Sequence, residues 1–133
     1  DKAKIFFHGH SYTANPLGCA AGIASLELFE KENTLDKIAL IEKSHHDFAA
    51  GLKGNPLLKD VRYKGTILAM ELNTGDGTGY LNTIRDRAYT FFMDRSIILR
   101  PLGNIIYILP PYCTGVEDLQ SAYAAIREFT AGL

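Results

Sequence analysis

Residues 97–109 read IILRPLGNIIYIL and contain the pattern that decides the fold. Two runs rich in β-branched residues, 97–100 and 105–109, flank a turn that contains proline, glycine and asparagine. The pattern predicts a β-hairpin, because β-branched residues favour strands and these turn residues favour a chain reversal. Pro101 has no backbone N–H, so we expect its strand to lie where no ladder hydrogen bond is needed at that position.

The spacing of apolar residues predicts further strands and helices on both sides of this hairpin. The predicted strands upstream cover residues 58–63 and 66–72, and the predicted helices cover residues 35–52, 81–94 and 114 onward. Thr114 and Glu117 have the spacing of a capping box for the last helix. The order from residue 35 is therefore αββαββα. It predicts an α+β fold in which helices pack on one face of a small, mainly antiparallel sheet.

Composition excludes several classes of function. The chain has 133 residues, with 14 lysines and arginines against 15 aspartates and glutamates. This balance gives no electrostatic reason to expect nucleic acid or an anionic membrane as a partner. No apolar run approaches the roughly 20 residues that span a bilayer. The two cysteines, Cys19 and Cys113, are too far apart in sequence to indicate a CxxC metal site, and we expect a reduced, cytoplasmic setting.

The first candidate site precedes a strong helix start. Residues 8–16 read HGHSYTANP, in which Asn15 is a favoured N-cap and Pro16 suits the first helical position. A segment with a glycine and hydroxyl groups just before a helix can offer hydrogen-bond donors to an anion such as phosphate. Capping and turn formation alone explain the same residues.

The second candidate site is Arg100 with the proline turn that follows it. An arginine at a strand end beside a rigid turn can bind a carboxylate through two parallel hydrogen bonds. An ordinary surface salt bridge is the alternative interpretation of the same residue. The alternation of a strand directs Tyr107 to the face opposite Ile106 and Ile108, which is compatible with a pocket or with the edge of the core.

His45 lies on the apolar stripe of the helix predicted over residues 35–52. No cluster of other ligands or acid–base groups accompanies it in the sequence. We therefore predict a packed, hydrogen-bonded histidine rather than a metal ligand or a catalytic base.

The two candidate sites together resemble the C-terminal part of the class III aminotransferases, which use pyridoxal 5′-phosphate on the fold-type-I scaffold. Residues 8–17, HGHSYTANPL, are similar to the family segment His-Gly-x-Thr-Phe-x-Gly-Asn-Pro-Leu. The small residues 19–21 that follow, and the strand residues Arg62, Gly65 and Glu71, also resemble that family. The resemblance extends over essentially the whole chain and implies the small C-terminal αβ domain of such an enzyme.

The resemblance also implies roles for individual residues. Ser11 stands where the family has a threonine whose hydroxyl binds the cofactor phosphate of the neighbouring subunit, which implies a homodimer. Arg100 matches the arginine that binds the substrate carboxylate. Tyr107 matches an aromatic residue near the substrate. Gly9, in the same segment as Ser11, is assigned as a substrate-binding residue.

The run from Arg100 to Tyr112 is most similar to one subgroup of the family. That subgroup transfers the amino group of S-adenosylmethionine to 8-amino-7-oxononanoate, giving 7,8-diaminononanoate for biotin biosynthesis. An ornithine, 4-aminobutyrate or other ω-amino acid transaminase remains an alternative within the family. A stand-alone αβ ligand-binding module is the alternative from another class.

No lysine of this chain lies in the sequence context of the family's Schiff-base lysine, so the resemblance implies no catalytic residue here. We therefore expect a C-terminal piece of the enzyme that is inactive alone. Its expected parts are a remnant of the large cofactor-binding domain (1–15), a linking helix (16–33) and the small αβ domain (34–133).

Overall fold

The computed structural model describes residues 4, 9, 11, 13–75, 79 and 81–133. The chain divides into two compact units, Asp1–Leu35 and Asp36–Leu133. In the first unit, helix α1 spans Pro16–Lys31. The Asn15 side chain accepts hydrogen bonds from the backbone N–H groups of Leu17 and Gly18, at 3.0 and 3.3 Å. The predicted helix start is therefore confirmed.

The other elements follow in a simple order: α2 (Thr34–Ala50), β1 (Leu58–Lys64), β2 (Ile67–Leu72), α3 (Ile84–Met93), β3 (Ile105–Ile108) and α4 (Val116–Ala131). The three strands form one antiparallel sheet in the order β1-β2-β3. The α+β fold with a small antiparallel sheet agrees with the prediction from sequence.

The core lies where the helices cover one face of this sheet. Every second residue of β2 and β3 is buried and packs with side chains from α2, α3 and α4. Phe92 of α3 and Ile126 of α4 are among the most completely buried of these side chains. The core residues contributed by the sheet are Leu68, Met70, Leu72, Ile106 and Ile108.

Gly65 and Thr66 form the two-residue turn between β1 and β2, since Lys64 pairs with Ile67. Gly65 has a φ of +55°, which glycine adopts without the steric cost that a Cβ brings. A positive φ at the first central position alone is the arrangement of a type II′ turn, whose twist suits a hairpin. Glu42 of α2 accepts the Gly65 N–H at 3.0 Å and so ties the turn to the helix layer.

Two local predictions are wrong. Residues 97–100 form no strand, and an isolated bridge between Leu102 and Ile105 is what leads into β3. Pro101 lies next to the doubly hydrogen-bonded pair of Leu102 and Ile105, so its N–H position would point away from β3, and the missing N–H does not itself break the ladder. The predicted capping box is absent as well, because Gly115 is the N-cap of α4 and no side chain caps that helix.

His45 forms a buried hydrogen-bonded network with two other elements. Its Nε2 lies 3.0 Å from the backbone oxygen of Thr66, and its Nδ1 lies 2.6 Å from the Tyr123 hydroxyl. The carbonyl can only accept, so Nε2 carries the proton and Nδ1 accepts the Tyr123 O–H. The prediction of a packed, hydrogen-bonded histidine is confirmed.

The pKa of His45 is lowered, mainly because burial disfavours the charged imidazolium, although the Thr66 carbonyl and Glu42 oppose this shift. The unfolded state therefore binds a proton at a higher pH than the folded state does. We expect the free energy of unfolding to be highest above about pH 6.5 and to fall as the pH is lowered through that value.

Urea unfolding between pH 5 and 8 tests this expectation. A His45→Gln variant should lose most of the pH dependence in that interval, whereas His46→Gln, on the exposed side of α2, should keep it. Equal pH dependence in the wild type and in His45→Gln would show that another group is responsible.

Candidate active-site cavity

Arg100 lies outside the helices and strands, between two buried residues. Leu99 is 7% exposed and the side chain of Pro101 is fully buried, while Arg100 itself is exposed. The backbone therefore turns the guanidinium away from the core. Within the described part of the chain, no carboxylate pairs with Arg100.

Tyr107 is positioned by the register of the sheet. It lies opposite Ala69 on β2 and points to the face opposite that of the buried residues Ile106 and Ile108, as the strand alternation predicts. Its side chain is half-buried. Its hydroxyl has no hydrogen-bond partner among the residues that the structure describes.

The structure brings Arg100 and Tyr107 to one cavity of about 920 Å³. The apolar part of its wall includes Ile97, Ile98, Leu99, Leu109, Pro110 and Pro111. A pocket with a long apolar wall and few polar groups suits a ligand that has an aliphatic chain and one charged end.

The charged groups of the wall determine which end of a ligand binds there. Arg85 and Asp86 of α3 pair with each other at 3.3 Å, and Asp118 comes from the first turn of α4. Arg100 is therefore the cation of the wall that is available to an anionic ligand. Tyr107 adds a hydroxyl that can donate or accept a hydrogen bond.

Sequence reasoning identified Arg100 and Tyr107 but missed the two helices that complete the cavity. Tyr89 of α3 and Asp118 of α4 line it with them. Arg85 and Tyr89 are four residues apart and share one face of α3, which is the only sequence signal that could have indicated them. Nothing in the sequence indicates that this face of α3 lies at the same cavity as Arg100 and Tyr107.

Ser11 and Gly9 belong to the first unit. Ser11 lies in a turn and both residues are exposed. The neighbouring residues His8, His10 and Tyr12 lie outside the described residues. A Cβ at Gly9 would meet no atom within 4 Å in the described part of the chain.

The N-terminus of α1 offers fewer donors than the sequence suggests. Pro16 has no N–H, and the side chain of Asn15 accepts the N–H groups of Leu17 and Gly18. The next N–H, of Cys19, bonds to the Asn15 backbone oxygen at 2.9 Å. The N–H groups of Leu17, Gly18 and Cys19 are thus satisfied internally and are not free to bind an anion.

No lysine of the described residues lines the cavity. Within the same part of the chain, no cluster of histidine, cysteine, aspartate and glutamate could hold a metal ion. None of the helices described has the length and apolarity needed to cross a bilayer.

The family model for class III aminotransferases matches residues 2–129. This chain therefore belongs to the class III aminotransferases, a family that uses pyridoxal phosphate. A solved ω-transaminase from Thermomicrobium roseum superposes with a TM-score of 0.82 at 19% identity, over 97% of this chain and 30% of that one. At this identity the likeness shows the fold alone, and it confirms the predicted fold class.

Two more similar proteins share one name. The adenosylmethionine-8-amino-7-oxononanoate aminotransferase of Synechococcus elongatus is 45% identical over 126 residues, which are 92% of this chain and 28% of that protein. The solved enzyme of that name from Methanocaldococcus jannaschii is 32% identical, with a TM-score of 0.77 over 96% of this chain and 31% of that one. This chain thus spans less than a third of the length of either relative.

Proposed function

We propose that the protein containing this chain transfers the amino group of S-adenosylmethionine to 8-amino-7-oxononanoate, giving 7,8-diaminononanoate for biotin biosynthesis. The observation that carries the proposal is the cavity in which an unpaired Arg100 meets an extended apolar wall. The 45% identity to the Synechococcus elongatus enzyme supports the same substrates.

The acceptor has the chemistry that this cavity requires. 8-Amino-7-oxononanoate is a nine-carbon chain with a carboxylate at one end and the reacting ketone near the other. Arg100 would bind the carboxylate through two parallel hydrogen bonds, and Ile98, Leu109 and Pro110 would contact the methylene groups. Tyr107 would orient the substrate through its hydroxyl. These contacts would hold the chain in one position, so that the ketone lies at a fixed place relative to Arg100. Binding energy aligns a reacting group in this way.

The residues of the first unit are compatible with pyridoxal 5′-phosphate as the cofactor. The exposed hydroxyl of Ser11 would donate to the cofactor phosphate, and the bare backbone at Gly9 leaves room for the substrate. We propose that Ser11 serves the site of the neighbouring subunit in a homodimer. When bound, the cofactor supplies the electron sink that amino transfer needs.

The proposal assigns the Schiff-base lysine to a part of the enzyme outside these 133 residues. Residues 1–15 then belong to the large cofactor-binding domain, residues 16–33 link the domains, and residues 34–133 form the small domain. We expect a cytoplasmic enzyme, because the free and exposed Cys19 and Cys113 suit a reducing compartment.

A substrate screen of the enzyme expressed from its complete reading frame tests the function. S-adenosylmethionine with 8-amino-7-oxononanoate should give 7,8-diaminononanoate, whereas ornithine and 4-aminobutyrate should be used at least about a hundredfold less efficiently as amino donors. Efficient use of either alternative donor, with no diamine formed from S-adenosylmethionine, would assign the enzyme to another class III activity.

A further inference from the structure

Leu102, two residues after Arg100, begins a turn that is tied closely to the sheet. Leu102 and Ile105 exchange two backbone hydrogen bonds, of 2.9 and 3.0 Å, so Gly103 and Asn104 are the central residues of a two-residue turn. Gly103 has a φ of +60°, which permits this tight reversal. The backbone that carries Arg100 therefore enters a turn of fixed geometry immediately after Pro101.

Asn104 joins this turn to the central strand. It is 2% exposed, its Nδ2–H donates to the Leu72 backbone oxygen at 2.9 Å, and its own backbone oxygen accepts the Leu72 N–H at 2.8 Å. Asn104 thus makes with Leu72 the two hydrogen bonds of a ladder pair, one of them from its side chain. The ladder between β2 and β3 continues by one pair although the backbone is already turning.

The amide oxygen of Asn104 makes no comparable hydrogen bond. Its Oδ1 is the one buried side-chain nitrogen or oxygen atom without a hydrogen-bond partner among the described residues. A flipped amide would set this oxygen against the Leu72 carbonyl, so the observed orientation is the favourable one. A buried carbonyl without a donor is unfavourable for stability. Asn104 therefore combines one favourable buried bond with one unfavourable buried oxygen, and such local conflicts concentrate at functional sites.

We propose that Asn104 is the positioning residue of the carboxylate site. Its amide fixes the turn on β2, the turn fixes Pro101, and Pro101 with Leu99 holds the Arg100 backbone at the cavity wall. This inference rests on the proposed function of Arg100 and adds the device that orients it. Without the amide, the turn keeps only the backbone bond to Leu72, and the less firmly held guanidinium samples positions from which it cannot form both hydrogen bonds to a carboxylate.

Steady-state kinetics of the full-length enzyme test the proposal with Asn104→Asp, which has the same shape but loses the amide donor. We expect KM for 8-amino-7-oxononanoate to rise about tenfold while kcat changes less than about threefold. Asn104→Ser removes the amide without burying a carboxylate. It should likewise raise KM and leave kcat nearly unchanged. It replaces Asn104→Asp if that variant does not fold.

Two controls separate positioning from a general loss of structure. Asn73→Asp makes the same change in an exposed amide that donates to the Pro56 backbone oxygen at 3.2 Å, and it should leave KM unchanged. Ile126→Ala, in the core outside the cavity, should lower the melting temperature without changing KM. An equal rise in KM for Ile126→Ala would overturn the positioning role.

A double-mutant cycle shows whether Asn104 acts through Arg100. In an Arg100→Ala background, Asn104→Ser should cause no further rise in KM, because the group it positions is gone. A full additional tenfold rise, or an unchanged KM in the single Asn104 variants, overturns the inference and leaves the role of Arg100 intact. An unchanged KM in Arg100→Ala alone instead removes Arg100 from the carboxylate site, and with it the inference, whereas failure to form the diamine in the substrate screen overturns the proposed function.

Discussion

Replacing Arg100 by alanine should lower kcat/KM for 8-amino-7-oxononanoate by about 10²- to 10³-fold, which is roughly 3–4 kcal/mol of transition-state binding. Arg100 is the cation of the cavity wall without an ion pair in the described part of the chain, so no neighbouring cation replaces it. Arg100→Lys keeps the charge but loses the planar pair of donors, and it should recover only part of the loss.

Arg85 is the matched control for this variant. It lines the same cavity, but its guanidinium already pairs with Asp86 at 3.3 Å. Arg85→Ala should therefore change kcat/KM by less than about threefold, since an exposed pair of this kind contributes little.

A change in the substrate completes the test. An amino ketone of the same length that lacks the carboxylate should be a poor acceptor for the wild-type enzyme. It should also be used equally well by the wild type and by Arg100→Ala, because the missing group is the one that Arg100 binds. A similar loss in Arg100→Ala with both acceptors would show that Arg100 does not contact the carboxylate.

Local sequence patterns predicted the parts of this fold that local chemistry controls. The start of α1 follows from Asn15 and Pro16, and the hairpin of β1 and β2 follows from Gly65 between two predicted strands. The predicted strand over residues 97–100 is wrong for a related reason. Apolar periodicity reports a preference for extended backbone, but a strand also needs a neighbouring strand to pair with, and residues 97–100 pair with none of the described strands.

The candidate site was predictable only in part. Arg100 and Tyr107 are separated by a short turn and a strand, so their common location follows from the sequence. The wall residues Tyr89 and Asp118 lie on helices before and after them, and only tertiary packing brings these helices to the cavity. The assignments of Ser11 and Gly9 stay predictions, because both residues belong to the first unit, Asp1–Leu35, whereas the cavity belongs to the second, Asp36–Leu133.

The largest expected effect on stability concerns His45. The imidazole joins three elements, since it extends from α2 to the turn between the strands and to Tyr123 of α4. The Tyr123 ring also stacks on Phe48 at 4.2 Å between centroids, and burial raises the pKa of its hydroxyl to about 12. The hydroxyl is therefore a proton donor at every pH at which the protein is studied.

His45→Ala should lower the free energy of unfolding by about 3–5 kcal/mol, because it leaves a cavity and removes the partners of two buried polar groups. Tyr123→Phe keeps the stacked ring but leaves Nδ1 of His45 without a donor, and should cost about 1–2 kcal/mol. Urea unfolding monitored by circular dichroism measures both losses.

The adjacent histidine gives the matched control. His46 lies on the exposed side of the same helix, so His46→Ala should change the free energy of unfolding by no more than about 0.5 kcal/mol. If His45→Ala costs as little as His46→Ala, the network does not hold the layers together. A large loss in His45→Ala combined with a negligible one in Tyr123→Phe would instead assign the stabilisation to the volume of the ring and its bond to Thr66.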